Sequence, residues 1–260
     1  MKKQLIALLF ALVPVTVMAA GGSTYPLDDA NIDLTDKRSL QDGARTFVNF
    51  CMGCHSAQYQ RYERVATDLG IPEEVMMENL VFPDTLIGDH MKIGMRATES
   101  KGWFGAAPPD LTMVARVRGE DWLYTYMRSF YEDPSRPLGW NNRVFPNVGM
   151  PHVLAELQGT PVIGCKAMPV KEGNRVKRDT LTGDPVTDEH CDVLVVQEGT
   201  GTQTEEEYDT TVRNLVAFLA YSADPIKLER HRIGVYVLLY LAVLFVFAYL
   251  LKREFWKDVH

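Results

Sequence analysis

The chain reads as a mainly α-helical domain with long loops and a small β or loop insertion, followed by one C-terminal membrane-spanning helix. Three observations predict this. Apolar residues recur at helical spacing in several stretches, Gly and Pro concentrate between those stretches, and Ile233–Leu251 runs 19 residues without a charge. At 1.5 Å rise per residue such a helix would be about 28 Å long, close to a hydrocarbon core of about 30 Å.

From the N-terminus, Lys2 and Lys3 precede an apolar run, Leu5–Val17, and the small residues Ala19, Ala20, Gly21 and Gly22. This is the pattern of a secretory signal peptide over 1–20. Residues 21–230 then form one external domain of ordinary size, able to bury a core. It opens with an irregular lead-in to Asp36. Ser39 with Asp42 reads as a helix N-cap, and Leu40, Ala44, Phe47, Val48 and Cys51 follow at helical spacing. Tyr59–Leu69 and Pro72–Leu80 read as short helices. The Gly- and Pro-rich stretch Phe82–Asp110 reads as loop. Glu120–Tyr131 reads as a helix with Trp122, Leu123, Tyr126, Met127 and Phe130 on one face, broken by Pro134, Pro137 and Gly139. Asp209–Ser222 is amphipathic and leads almost directly into the apolar run, so the domain should sit close to the bilayer. Within the insertion, 159–204, the alternation at Val193–Val196 suggests strands or a hairpin. The anchor is 233–251 and the tail 252–260. Three basic residues flank the anchor on each side, so orientation follows from the signal peptide: domain outside, tail in the cytoplasm.

The chemistry concentrates at Cys51-Met52-Gly53-Cys54-His55. Cys-x-x-Cys-His is the attachment pattern of a c-type haem. Two thiols about one turn apart add across the two porphyrin vinyl groups, and the adjacent His reaches the iron. A zinc site would want a second ligand pair nearby, and none follows. A thiol–disulfide oxidoreductase would need a βαβ setting and leaves the His without a role. The domain is therefore expected to be a c-type cytochrome fold holding one covalent haem c. The remaining cysteines, Cys165 and Cys191, lie outside the membrane, where leftover thiols usually pair; a disulfide would close a loop of about 25 residues.

The second axial ligand is open among Met91, Met95, Met113, Met127, Met150, Met168, His90 and His152. Pro146-Asn147-Val148-Gly149-Met150-Pro151 favours Met150, because proline stiffens the segment and glycine opens it; Met168, before Pro169, is the runner-up. A methionine would raise the potential, and a saturated iron would pass electrons rather than bind oxygen. The formal net charge is −7; the external domain, with 22 basic and 32 acidic residues, carries about −10. Nucleic acid is excluded as a partner for such a surface, and a basic protein would be steered towards it. The acidic run Glu205, Glu206, Glu207 and Asp209 is either a docking patch or a solvated helix start.

Several patches together resemble the cytochrome c1 family, the haem subunit of the cytochrome bc1 complex, in its bacterial form. They are Cys51–Ser56 with Tyr59, Arg61 and Tyr62; Ala107-Pro108-Pro109-Asp110-Leu111-Thr112 running on through Arg116 and Arg118 to Asp121; Phe145-Pro146 with Gly149-Met150-Pro151; and Ala223-Asp224-Pro225 before a single anchor. The resemblance implies that Cys51 and Cys54 hold the haem and that His55 and Met150 are its axial ligands. A carbonyl of Pro108 or Pro109 would accept the His55 ring N–H. Arg118, with Arg116 as the alternative, would meet a propionate. The implied function is transfer of one electron at a time from a Rieske iron–sulfur subunit to a soluble or anchored c-type cytochrome. The implied partners are cytochrome b and the Rieske protein, in a dimeric complex of the bacterial inner membrane. The rivals are an anchored cytochrome donating to a terminal oxidase or another dehydrogenase, and the thiol–disulfide oxidoreductase.

Overall fold

The computed structural model describes residues 25–173 and 175–258. The signal-peptide reading, 1–20, lies outside them, as do the last two residues of the tail.

The lead-in has no regular structure, yet it is pinned. Asp28 N–H donates to Thr125 Oγ1 (2.8 Å), Ala30 N–H to Asp121 Oδ1 (2.9 Å), and the Arg213 guanidinium to the Ala30 carbonyl (3.1 Å). Helix α1 spans Lys37–Thr46. Its cap is Asp36, not Ser39: the Asp36 carboxylate accepts from the N–H groups of Arg38 and Ser39. Ser39 instead donates its hydroxyl to Asn214 Oδ1 (2.7 Å), a partner 175 residues away that local patterning could not reveal. The helix then widens into π-helical turns over Phe47–Cys51, with Met52 N–H closing on the Phe47 carbonyl (3.0 Å).

Strand β1, Ala57–Arg61, pairs antiparallel with β2, His90–Met91. The expected helix from Tyr59 therefore starts later, as α2, Tyr62–Leu69, because its first residues are committed to β2. Then come α3, Glu73–Asn79, and α4, Ala97–Phe104, a helix inside the stretch expected to be loop. Helix α5 spans Val114–Arg118 and α6 spans Glu120–Arg128. The last residues of the expected Glu120–Tyr131 helix turn instead into β3, Phe130–Glu132, paired with β4, Trp140–Asn142. A single turn, α7, covers Ala155–Gln158. The insertion is a long antiparallel ribbon of β5, Pro161–Pro169, and β8, Thr187–Val196. Its far end carries β6, Lys171–Glu172, and β7, Arg175–Val176. Helix α8 spans Glu205–Ala223, and α9 spans Lys227–Phe255.

The core is built where α1 crosses α8. Gly43 permits the crossing: a Cβ there would lie 2.0 Å from the Asn214 carbonyl oxygen and 2.8 Å from Phe218 Cβ. The close approach lets Phe47 meet Phe218 at 5.5 Å between ring centroids, both rings fully buried. Each such side chain contributes about 1.5–3 kcal/mol on burial. Helix α6 packs on the same α8, locked by Tyr208 donating its hydroxyl to the Met127 carbonyl (2.8 Å) and by the Arg128–Asp209 ion pair. The chain thus has the two outer helices against one another, with the haem motif at the end of the first. Helix α9 is the one described helix long and apolar enough to cross a membrane, and its apolar part is exposed throughout.

Candidate haem-binding site

Cys51-to-His55 forms a tight turn at the end of the π-helical segment. Cys54 N–H and His55 N–H both donate to the Cys51 carbonyl, at 3.0 and 2.9 Å. Both thiols are free, Cys51 buried and Cys54 half-buried. Burial pushes the Cys51 thiol up to about 12, with the Cys54 thiol adding to the shift. A redox-active cysteine pair needs the opposite, an accessible thiol of lowered pKa.

His55 Nδ1 lies 2.7 Å from the Pro109 carbonyl oxygen. A carbonyl can only accept, so Nδ1 carries the proton and Nε2 keeps its lone pair free to bind a metal. Burial lowers the imidazole's pKa, against smaller upward contributions from the Pro109 bond and Asp110, so the ring is held neutral. The loop bearing Pro109 is stitched to the strand after the motif. Leu111 N–H donates to the Ser56 carbonyl (2.8 Å), and Gln58 N–H to Asp110 Oδ2 (2.8 Å). Thr112 N–H donates to Asp110 Oδ1 (3.0 Å). The Ala-Pro-Pro-Asp-Leu patch therefore fixes the ring and the tautomer of one histidine.

One cavity, of about 340 Å³, is lined by Cys51, Cys54, His55, Pro109, Arg118 and Met150, with mainly apolar walls that include Phe104, Trp122, Tyr126 and Phe145. Met150 is set by the loop preceding it. Asn147 takes a left-handed conformation (φ +63°), its N–H donates to Asn141 Oδ1 (2.8 Å), and its carbonyl accepts from Arg136 (3.0 Å). A Cβ at Gly149 would sit 2.7 Å from the Phe104 carbonyl oxygen, so the residue before Met150 must be small for α4 to close the wall. The loop's rigidity comes from these polar ties as much as from its prolines. The Met150 sulfur accepts a hydrogen bond from the Tyr126 hydroxyl (3.4 Å).

Of the eight axial candidates, Met150 and Met127 line the cavity; the rest do not. Met91 is core, Met113 and Met168 are exposed, and His90 donates Nδ1–H to the Gln58 carbonyl (2.7 Å). His152 is buried in an aromatic slot, stacked on Phe130 at 5.0 Å. Arg118 reaches the cavity with its guanidinium 5.0 Å over Trp122 and 5.7 Å over Phe145, and forms no carboxylate ion pair among the described residues. Arg116 faces away, into a second cleft shared with Glu120, Asp224, Lys227 and Arg230. Cys165 and Cys191 are joined by a disulfide between paired positions of β5 and β8. Tyr126, Phe104 and Phe145 were not singled out as site residues by sequence reasoning. One signal was present: Trp122 and Tyr126 lie four residues apart, neighbours on one face of α6.

The donor set suits a covalent haem: two free thiols a turn apart, a neutral imidazole with an open Nε2, a thioether, a guanidinium stacked on two aromatic rings and apolar walls. Fold and site together define a membrane-anchored c-type cytochrome. The model of the Cytochrome C1 family matches residues 83–259. The chain is 47% identical over 260 residues, the whole of both chains, to "Cytochrome c1" of Allochromatium vinosum. It is 41% identical over 253 residues, 97% of each chain, to "Ammonia monooxygenase gamma subunit" of Nitrosomonas europaea. It is 24% identical over 252 residues to "Cytochrome c1" of Rhodospirillum rubrum, covering 86% of this chain and 83% of that one. The chain belongs to the cytochrome c1 family. It is thus the haem subunit, carrying covalent haem c, of a membrane-anchored bc1 complex that transfers electrons.

Proposed function

We propose that Cys51 and Cys54 attach the haem, that His55 Nε2 and Met150 Sδ are its axial ligands, and that the chain relays single electrons from the Rieske iron–sulfur subunit to a c-type cytochrome. One observation carries this: a single apolar cavity gathers both thiols, a histidine whose other nitrogen is already committed, and a thioether on a loop held by polar ties. The haem supplies the one-electron redox centre. The chain's own residues do the rest. The Pro109 carbonyl fixes the His55 tautomer, the aromatic and proline walls keep water from the centre, and Arg118, stacked and with no carboxylate partner among the described residues, balances a propionate charge. No residue acts as a general base or nucleophile.

In this reading residues 1–20 are a cleaved leader, 21–230 lie in the periplasm, 233–251 cross the inner membrane beside cytochrome b, and 252–260 are cytoplasmic. The complex is a dimer. Solubilised membranes should yield the chain together with cytochrome b and the Rieske protein, and haem staining should persist on a denaturing gel. Recovery with monooxygenase subunits instead would sink the partner assignment. Met150→Leu should keep the covalent haem, lose the thioether-to-iron charge-transfer band and lower the reduction potential markedly; an unchanged band and potential would move the ligand to Met127.

A further inference from the structure

The phenol of Tyr126 is not explained by packing. The residue sits on α6 between two ring contacts, stacked on Trp122 (4.8 Å, 10° between planes) and edge-on to Phe130 (5.1 Å). Phenylalanine would make both contacts. The backbone is tied as well, since the Tyr126 carbonyl accepts from Asn142 Nδ2 (2.8 Å) and from Ser129. The ring is therefore held by two aromatic neighbours and by its backbone, which limits where the hydroxyl can turn. A buried hydroxyl without a partner costs about 1–3 kcal/mol. Here the acceptor is Met150 Sδ, at 3.4 Å, inside the cavity that holds His55 and both thiols.

We propose that Tyr126 is a positioning residue for the Met150 thioether: its hydroxyl donates to Sδ, selects the rotamer that aims the sulfur into the cavity, and raises the centre's reduction potential. This rests on Met150 being the axial ligand. A thioether sulfur has two lone pairs; one is needed for iron, and the other can accept from Tyr126. A hydrogen bond on the second lone pair draws electron density from the sulfur and weakens its donation to the oxidised metal, which favours the reduced state. Arg118, the last residue of α5, meets the same Trp122 ring from the other helix, across the break at Gly119. One face of α6 and the turn before it thus serves both the charged and the sulfur side of the cavity.

The test uses the full-length chain in its complex, with Tyr126→Phe, which keeps the ring and removes only the donor. The expected result is a threefold to tenfold shift of the one-electron equilibrium towards the oxidised form. That corresponds to a potential lower by about 30–60 mV at 59 mV per tenfold. The thioether charge-transfer band should be retained but displaced, and the haem stain unchanged. In a Met150→His background the same substitution should leave the potential unmoved, because no thioether remains to accept. A Tyr126→Phe variant with unaltered potential and band would overturn the proposal while leaving Met150 as ligand. An equal shift in both backgrounds would also overturn it, by showing an effect that does not pass through the sulfur. Absence of the thioether band from the parent protein would instead remove the Met150 reading itself.

Discussion

Asp110 touches neither thiol nor thioether, yet it holds His55 in place through the backbone. Its two carboxylate oxygens accept from Gln58 N–H and Thr112 N–H, on either side of the junction between the loop that carries Pro109 and strand β1. Asp110→Ala leaves two backbone donors without their acceptor. The expected cost is about 1–3 kcal/mol, since unmade bonds to partly buried donors lose most of the interaction. Urea unfolding of the holoprotein measures it, and the Pro109–His55 bond should loosen in parallel, broadening the haem spectrum. A stability within about 0.5 kcal/mol of the parent would show that the loop is held by Leu111 and Ser56 alone. The pentad Cys51–His55 and the choice of Arg118 over Arg116 were legible in sequence to different degrees. The pentad is local chemistry at fixed spacing. Which arginine faces the cavity depends on the 100° turn between successive residues of α5 and on the position of α8, and only packing decides that. The proposed axial ligand had a similar difficulty: the Pro/Gly setting favoured Met150 among eight candidates but did not exclude the others, and the cavity is lined by two of them, Met150 and Met127.

At the scale of elements, helices with a wide apolar stripe were readable, while their ends were not. The stretch from Asp209 to Ser222 was visible as helix, but α8 begins four residues earlier, at Glu205. The cause is a capping box: Thr204 Oγ1 accepts from Glu207 N–H (3.3 Å), and the Glu207 carboxylate accepts from Thr204 N–H (2.9 Å). The acidic run is thereby largely accounted for within the fold. Glu207 caps the helix, Glu205 pairs with Lys166, and Asp209 pairs with Arg128. The Thr204 backbone N–H, then its hydroxyl, holds the Glu207 carboxyl below its ordinary value of 4.5. A carboxyl with a lowered folded-state pKa stabilises the fold above its unfolded pKa, and this contribution is lost as pH falls through the folded value. Glu207→Gln should therefore lower the thermal midpoint at pH 7. The gap between variant and parent should begin to narrow as pH drops below about 4.5, the ordinary carboxyl value, and close only once pH has fallen through the lower folded-state value, where the folded parent carboxyl is itself protonated. A gap that stays constant from pH 7 to pH 3 would mean the box acts through packing rather than charge. The short pieces β1, β3 and α4 were missed or misread for one reason. Each is fewer than nine residues long, too short for a period to develop, and the two strands owe their form to pairing with β2 and β4.

The whole molecule divides its labour between a haem domain that buries its own core and a helix that buries nothing within the chain. Helix α9 meets the domain chiefly through two ion pairs at its start, Lys227 with Glu120 (3.0 Å) and Arg230 with Asp224 (2.5 Å). Partly exposed pairs of this kind contribute about 0–1 kcal/mol each. The apolar residues from Ile233 to Leu251 are all turned outward, an exposed surface that water would not tolerate and lipid would cover. The haem cavity, by contrast, draws its walls from α4, α5, α6, α8 and the Met150 loop, and none from α9. Removing the helix should therefore separate anchoring from haem holding. A variant ending at Asp224 should be released from membranes without detergent, keep its covalent haem stain and absorption spectrum, and unfold within a few degrees of the full-length protein. The parent should require detergent. If the truncated chain stayed with the membrane fraction, a further anchor or a tight hold by the neighbouring subunits would have to exist. If it lost its haem spectrum, the helix would be part of the haem domain's core rather than its tether.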